Sequence, residues 1–329
     1  MKSSVLVSLI ASVLAIVSAV SAAETRTVDV GPLDAYGEMP QESANKRLVF
    51  EWLDLAIKQQ QPQQAFEKYV SKQFKEHSHL LRKQGQDAAG YTEKLAEVTK
   101  QAEQFKKGVD LGLPKQAAVN GEMVTLYGRT LDIYRVENGR ITDHWDASPA
   151  QTITIKEHAP GTAVNVMKPS TVTPPPLTAE ELNPDLSKIV IDPVSTGPVS
   201  PYGESPQEAA NKKIVFEYSQ LAWLRGNFPA AYAKYFSRDF RAHSHILTRG
   251  KSDYVGYAEN LASSMAAQKR MVASGVDLAV PKMATANGDL VIMFGEGIDI
   301  HRVVNGKITD SWNASPPTTV TLQPPPTIK

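Results

Sequence analysis

The chain lacks several features that define common classes of protein. None of its 329 residues is cysteine, which excludes disulfides, iron–sulfur clusters, thiolate zinc sites and a cysteine nucleophile. It has no net charge, because 35 Lys and Arg residues balance 35 Asp and Glu residues. Zero net charge removes the usual electrostatic basis for a nucleic-acid partner. P-loop and GxGxxG motifs are also absent, so the sequence indicates no nucleotide cofactor, and there is no GxSxG motif of a serine hydrolase.

Long apolar runs are missing as well, apart from one at the start of the chain. Residues 5–20 (VLVSLIASVLAIVSAV) follow the basic start Met1-Lys2 and precede the small residues SAA. This order is typical of a secretory signal peptide, and about 16 apolar residues are fewer than the roughly 20 that span a bilayer. We therefore predict a signal peptide over residues 1–23, a secreted or periplasmic mature chain, and no membrane contact after cleavage.

The rest of the chain contains an internal repeat of two similar copies. NKRLVFEWLDLA, from Asn45, returns as NKKIVFEYSQLA, from Asn211, and residues 45–84 match residues 211–250 at 16 of 40 positions. Residues 119–149 match 286–316 at 17 of 31 positions. Two collinear matches of this quality indicate a duplicated domain.

We place a first domain at residues 35–157 and a second at residues 201–323. The Pro-rich segment 158–200 between them is typical of an extended linker. Alternatively, it packs along one domain, with the apolar KIVI (188–191) as an edge strand.

Each copy has the same order of predicted elements. In the first copy, apolar spacing predicts a helix after Asn45, a second through residues 65–70 that ends near His77, and a third over about 91–105. Strands follow after Gly108: VDLGL (109–113), then MVTLYGRTLDIYRV and RITDHWDA, with a hairpin turn at Asn138-Gly139. Helices followed by an antiparallel sheet make each copy an α+β domain.

Asp132 and its counterpart Asp299 are candidate acid–base residues. On a strand, Asp132 shares a face with Val124, Leu126 and Tyr134, and Asp299 shares one with the equivalent apolar residues Val291 and Met293 and with His301. Loss of hydration on such a face raises the pKa of a carboxyl group toward neutrality. The alternative is an Asp held by hydrogen bonds or by a cross-strand Arg.

Histidines repeat between the copies as two HSH motifs. His77 and His79 return as His243 and His245, which together are four of the seven histidines. In an extended segment each pair points to one face, as a proton relay or a metal pair requires. The alternative is a helix end whose histidines cap carbonyl groups. The ligand set around each HSH motif is poor, so we expect no bound metal.

The two copies diverge on the last strand. TDHWDASP in the first copy contains His144, whereas TDSWNASP in the second has Ser311 at that position. The first copy thus has the residues for an acid–base set of Asp132, His144 and His77, which makes it the predicted working pocket. The second copy gains His301 where the first has Tyr134. Trp145 and Trp312 are candidates either for the core or for a ligand platform.

The Asn-Lys helix start, the His after the second helix and the block DIYRVENGRITDHWD resemble the SnoaL-like polyketide cyclase family, within the nuclear transport factor 2-like superfamily. The resemblance covers about residues 36–157 and 202–322. It implies two tandem cones, each a curved antiparallel sheet around three helices with a pocket inside. It also implies an internal pseudo-dimer, because single domains of this superfamily commonly dimerise through the sheet.

The family closes rings by intramolecular aldol condensation without metal or cofactor, using an Asp as acid and base. The resemblance assigns that role to Asp132 and Asp299, a pocket role to His77 or His243, and a further role to His144. The other residues expected to line the pockets are His79, Tyr134, Trp145, His245, His301 and Trp312.

Two functional hypotheses follow, both with a small molecule as the partner. In the first, the chain is an exported, cofactor-free catalyst of the aldol cyclase, isomerase or dehydratase type, acting on a carbonyl compound. In the second, it is a non-catalytic binding module for a small apolar ligand. A purely structural role is a third interpretation. The sequence names neither the substrate nor the oligomeric state.

Overall fold

The computed structural model describes residues 38–78, 81, 88–114, 116–128, 130–147, 152–156, 174–196, 203–248, 253–273, 275, 283–294, 298–314 and 319–323. The proposed signal peptide, residues 1–23, lies outside these ranges. Among the helices within them, none is long and apolar enough to cross a membrane. The described chain is α+β, with two curved open sheets and helices packed on one face of each.

Three helices build one side of the first domain. They are α1 (Pro40–Leu53), which continues as a π-helical turn over Asp54–Lys58, α2 (Pro62–Tyr69) and α3 (Tyr91–Lys106). Pro40 and Pro62 each open a helix, where the missing N–H has no intrahelical partner to lose. Apolar side chains of these helices, including Val49, Phe66 and Val98, pack against one face of the sheet.

The first sheet has five strands in the order β1-β5-β4-β3-β2. The strands are β1 (Val70–Glu76), β2 (Gln116–Asn120), β3 (Met123–Tyr127), β4 (Leu131–Glu137) and β5 (Arg140–Asp146). Strand β1 runs parallel to β5, and the other neighbours are antiparallel. The predicted hairpin turn is confirmed, because Asn138 and Gly139 have positive φ angles of 51° and 70°.

Two details of the first domain correct the sequence predictions. The second helix does not reach His77; it ends at Tyr69, and β1 follows at once. Val70, Phe74 and Glu76 are buried in β1, an alternation typical of a half-buried strand. VDLGL (109–113) forms no strand, because Gly112 has a φ of 62° and its N–H donates to Asp110 Oδ1.

The described part of the linker lies against the second domain. It contains α4 (Ala179–Leu182) and a short 3-10 turn (Leu186–Lys188). Ile189 and Ile191 pack on the core of the second domain, and Arg225 pairs with Asp192 and donates to the carbonyl of Val190. Residues 188–191 therefore form no edge strand. Strand β6 (Thr152–Lys156) lies at the end of the first domain, just before the linker.

The second domain repeats the architecture of the first. Its helices are α5 (Pro206–Ser219) with a π-helical turn over Gln220–Leu224, α6 (Phe228–Tyr235), the short α7 (His245–Thr248) and α8 (Tyr257–Ala273). Its sheet has the order β8-β7-β12-β11-β10-β9. These strands are β7 (Phe236–His243), β8 (Val255–Gly256), β9 (Met283–Asn287), β10 (Leu290–Phe294), β11 (Ile298–Val304) and β12 (Lys307–Asn313). The last strand, β13 (Thr319–Gln323), pairs antiparallel with β6.

The faces of the two sheets that turn away from the helices share one hydrophobic cluster. Trp145 and Trp312 are its largest members, and both are almost completely buried. The other members are Ala118, Met123, Tyr127, Leu131, Ile133 and Ala147 from the first domain and Met283, Leu290, Ile292, Phe294, Ile298, Ile300 and Ala314 from the second. Each sheet thus has one face toward its own helices, called the helix-side face below, and one toward the other domain.

Candidate functional site

Asp132 lies on the helix-side face of β4, at the edge of the apolar core. Its Cα partners are Leu126 on β3 and Asp146 on β5. Val124, Leu126 and Tyr134 belong to the core on this face, so the predicted sharing of a face is confirmed. The side chain of Asp132 is 24 % exposed.

The Asp132 carboxylate is the exposed end of a series of buried charged groups. His144 Nε2 donates to Asp132 Oδ1 over 2.9 Å, and His144 Nδ1 donates to Glu76 over 2.7 Å. Lys94 Nζ lies 2.9 Å from Glu76 Oε2. Thr130 donates its hydroxyl to the other Asp132 oxygen over 2.6 Å. We call Asp132, His144, Glu76 and Lys94 the charge chain.

The members of the charge chain stabilise one another's charged forms. Burial opposes the charge on His144, but the carboxylates of Glu76 and Asp132 outweigh it and raise the pKa of the imidazole to about 9. Burial likewise opposes ionisation of Glu76, but His144 and Lys94 lower its pKa to about 2. The pKa of Lys94 is raised, because Glu76 and Glu97 outweigh its desolvation.

The pKa of Asp132 is lowered, which corrects the prediction of a raised value. Burial favours the neutral acid, yet the hydrogen bond and charge of His144 and the hydroxyl of Thr130 together outweigh it. Asp132 is therefore ionised at neutral pH, and His144 beside it is an imidazolium that bridges two carboxylates. Asp132 is the most exposed member of the charge chain, because the side chains of His144, Glu76 and Lys94 are only 3 %, 0 % and 7 % exposed.

The second domain keeps the aspartate and lacks the rest of the charge chain. In the same register, Ala242 stands for Glu76 and Ser311 for His144. Asn260 on α8 takes the place of Lys94 on α3 and donates to the hydroxyl of Tyr232 over 2.7 Å. Four charged groups in the first domain thus correspond to one carboxylate and three uncharged side chains in the second.

Asp299 therefore has chemistry unlike that of Asp132. Its hydrogen-bond partner is Asn313, which donates over 3.3 Å, and burial raises the pKa of Asp299 to about 6. Burial lowers the pKa of His301 to about 4, so this ring is neutral at pH 7. Within the part of the chain that the structure describes, His301 Nδ1 has no hydrogen-bond partner.

The structure does not bring His77 and His243 to the two aspartates. His77 follows β1 and stacks on Trp145 at 4.7 Å, on the face toward the other domain, and its Nε2 donates to Asp143 over 3.0 Å. His243 stacks on Trp312 at 5.0 Å in the same way. The expectation that either His shares a pocket with an Asp is wrong, because consecutive strand residues point to opposite faces.

The same geometry corrects the expectation for the two tryptophans. Trp145 and Trp312 belong to the shared cluster between the sheets and line no site with Asp132 or Asp299. Tyr134 does lie beside the charge chain, with its ring 4.5 Å from that of His144. His301, its counterpart, shares the helix-side face with Asp299, as predicted. His79 and the side chain of His245 lie outside the described residues.

Sequence reasoning missed Glu76 and Lys94. A usable signal was present in the comparison of the two copies, because both charges fall at otherwise apolar or uncharged positions of the repeat. Among the described residues, no group of three or more His, Cys, Asp or Glu side chains has a geometry suited to a metal ion.

Comparison with known proteins gives no further assignment. No protein-family model matches the chain, and no curated protein matches it.

Proposed function

We propose that the first domain is a cofactor-free acid–base catalyst of the SnoaL-like type, acting on a small carbonyl compound. The observation that carries this proposal is the charge chain. It ends in the partly exposed carboxylate of Asp132, and the second domain lacks its other three charged groups. Each domain is proposed to be a nuclear transport factor 2-like cone. The cluster shared between the sheets supports an internal pseudo-dimer, and export by the predicted signal peptide belongs to the same proposal.

The duplication provides an internal control for the role of the charge chain. Burial of an ion costs several kcal/mol unless its partners are well placed, so a core is seldom improved by charges. The second domain forms the same sheet with Ala242, Asn260 and Ser311 at the corresponding positions. The same sheet thus forms without the counterparts of Glu76, Lys94 and His144, which favours a role in chemistry for these three residues.

The proposed reaction begins with proton abstraction. The ionised carboxylate of Asp132 takes a proton from the carbon next to a carbonyl group and leaves an enolate. Tyr134 stays protonated, because burial and the nearby carboxylates raise the pKa of its phenol well above its ordinary value. Its hydroxyl is the proposed donor to the enolate oxygen.

The proton is then returned to the product. In a ring closure, the enolate carbon forms a bond to a second carbonyl carbon, and the new alkoxide takes the proton back from Asp132. No redox change occurs and no atom is lost. His144 stays an imidazolium throughout, and its charge keeps Asp132 ionised between turnovers.

The experiment is exchange of α-protons for deuterium. Small aryl ketones and keto esters are incubated with the protein in D2O, and loss of the α-proton signal is followed by NMR. We expect Asp132→Asn to lower the catalysed rate by 10²–10⁴-fold, the usual contribution of a positioned acid–base group. Asp299→Asn is the matched control. Exchange at the background rate with every probe, or an equal loss in the control, contradicts the proposal.

The second domain favours the alternative function, ligand binding. Its site combines the neutral His301, which has an unpartnered Nδ1, with Asn313 and a carboxylate of raised pKa. These groups suit a small uncharged ligand that carries a hydroxyl group. Titration with phenol as the probe should shift the ¹⁵N signals of His301 in the intact protein. Unchanged signals at saturating phenol contradict this assignment.

A further inference from the structure

Each domain makes a hydrogen bond from an Asn side chain to the last strand of the other domain's sheet. Asn287, at the end of β9, donates from Nδ2 to the backbone carbonyl of Asp146 over 2.7 Å. Asn120, at the end of β2, donates to the carbonyl of Asn313 over 2.9 Å. The two bonds are related by the duplication, so the arrangement occurs twice in one chain.

The bond from Asn287 ends directly opposite the candidate base. Asp146 is the Cα partner of Asp132 across β4 and β5, and His144 lies two residues before it on β5. The next residue, Ala147, donates its N–H to the carbonyl of Leu131 over 2.7 Å and closes the ladder. A side chain of the second domain therefore fixes the strand end on which the Asp132–His144 pair depends.

The turn that presents Asn287 is itself held by a buried polar cluster. Gly288 donates its N–H to Glu208 Oε1 over 2.7 Å, and Asn211 donates to the Gly288 carbonyl over 3.2 Å. Glu208 and Asn211 are each 1 % exposed. Asn211 opens the repeated Asn-Lys motif, whose copy in the first domain, Asn45, bonds to the carbonyl of Gly121. The motif thus serves the contact between domains.

The turn also rests on the aromatic stack of the first domain. A Cβ atom at Gly288 would lie 3.5 Å from His77 Nδ1 and 3.9 Å from Trp145 Nε1. Gly288 has a φ of 62°, a conformation that favours glycine. The ring of His77 lies on the opposite face of the sheet from the acid–base pair. The turn of the second domain packs against this ring instead.

We propose that Asn287 is a positioning residue for the acid–base site of the first domain, so that this site is complete only when the second domain is docked. The inference rests on the proposed function of the Asp132–His144 pair. The positioning role also offers a reason for the duplication, because fusion in one chain holds the second domain at high effective concentration beside the first.

The first test needs no substrate. Protein labelled with ¹⁵N-histidine is compared by NMR in the wild type, Asn287→Ala and the matched control Asn120→Ala, with the His144 signals identified by their loss in His144→Ser. Asn287→Ala is expected to shift the His144 signals, because the strand opposite Asp132 loses its anchor. Asn120→Ala is expected to leave them in place, because its bond ends on the second domain.

The second test uses the α-proton exchange assay. Misplacement of reacting groups by about 1 Å can lower a rate by about 10²-fold, so we expect Asn287→Ala to lower kcat by at least about tenfold with KM within about twofold. Equal His144 shifts in both variants, or none in either, overturn the positioning role. Shifted His144 signals in a protein without exchange activity instead refute the proposed reaction and leave the contact intact.

A more conservative variant, Asn287→Ser, covers the case in which Asn287→Ala does not fold. Asn287→Ser keeps a shorter donor at the same position. It should shift the His144 signals in the same direction as Asn287→Ala, but by less. A Ser variant that shifts the His144 signals farther than Asn287→Ala does counts against the proposal.

Discussion

The charge chain predicts a loss of stability between neutral and alkaline pH. His144 has a folded-state pKa of about 9, and histidine in an unfolded chain titrates near 6.5. A raised pKa means that the folded protein holds this proton more tightly than the unfolded chain does. The resulting stabilisation is fully present below pH 6.5 and is lost as the pH rises through 9.

The size of this effect follows from the shift in pKa. Each pKa unit corresponds to 1.36 kcal/mol, so a difference of about 2.5 units gives about 3 kcal/mol. Glu76 contributes on the acid side, because its folded pKa of about 2 lies below its ordinary value of 4.5. That contribution is present above pH 4.5 and is lost as the pH falls through 2, so it does not change between pH 6.5 and pH 9.5.

Urea unfolding at pH 6.5 and pH 9.5, followed by circular dichroism, measures the difference. The matched control is the triple variant Glu76→Ala, Lys94→Asn and His144→Ser, which gives the first domain the residues of the second. The wild type should lose about 3 kcal/mol more than the triple variant over this range. If the wild type loses less than about 1 kcal/mol, or if the triple variant loses as much as the wild type, His144 does not stabilise the fold through a raised pKa.

Three further predictions concern single positions. Glu76→Ala alone leaves two buried cations without their shared carboxylate. It should lower the free energy of unfolding in urea at pH 7 by about 3–5 kcal/mol, more than the triple variant does. A larger loss in the triple variant would show that Glu76 does not stabilise these cations. Carboxyl ¹³C titration should place Asp299 near pH 6 and Asp132 below its ordinary value of 3.8, and equal midpoints would show that His144 does not hold Asp132 ionised. Gly128→Ala puts a Cβ 2.8 Å from the Gly112 carbonyl and should cost about 1–3 kcal/mol, whereas Gly256→Ala meets no atom within 4 Å and should stay within about 0.5 kcal/mol.

Local patterns in the sequence were enough to predict much of the fold. The duplication, the α+β class and the hairpin at Asn138-Gly139 depend on short-range signals, and the structure agrees with them. Strand parity also placed Asp132 on one face with Val124, Leu126 and Tyr134, because side chains alternate between the two faces of a strand.

Contacts between distant segments were not predictable in the same way. The segment 70–76 follows a helix without a turn signal, and its pairing with β5 is parallel and about 70 residues away along the chain. The meeting of Glu76 with His144 depends on that pairing and on its irregular register. The sign of the Asp132 pKa shift depends in turn on His144, so the raised pKa expected from burial alone was wrong.

We propose that the charge chain serves chemistry and that the fold does not need it. The most direct measurement takes the triple variant Glu76→Ala, Lys94→Asn and His144→Ser through both urea unfolding and the α-proton exchange assay. We expect a cooperatively folded protein whose catalysed exchange is at least about 10²-fold slower than that of the wild type. A triple variant that fails to fold, or one that exchanges α-protons at the wild-type rate, contradicts the proposed role of the charge chain.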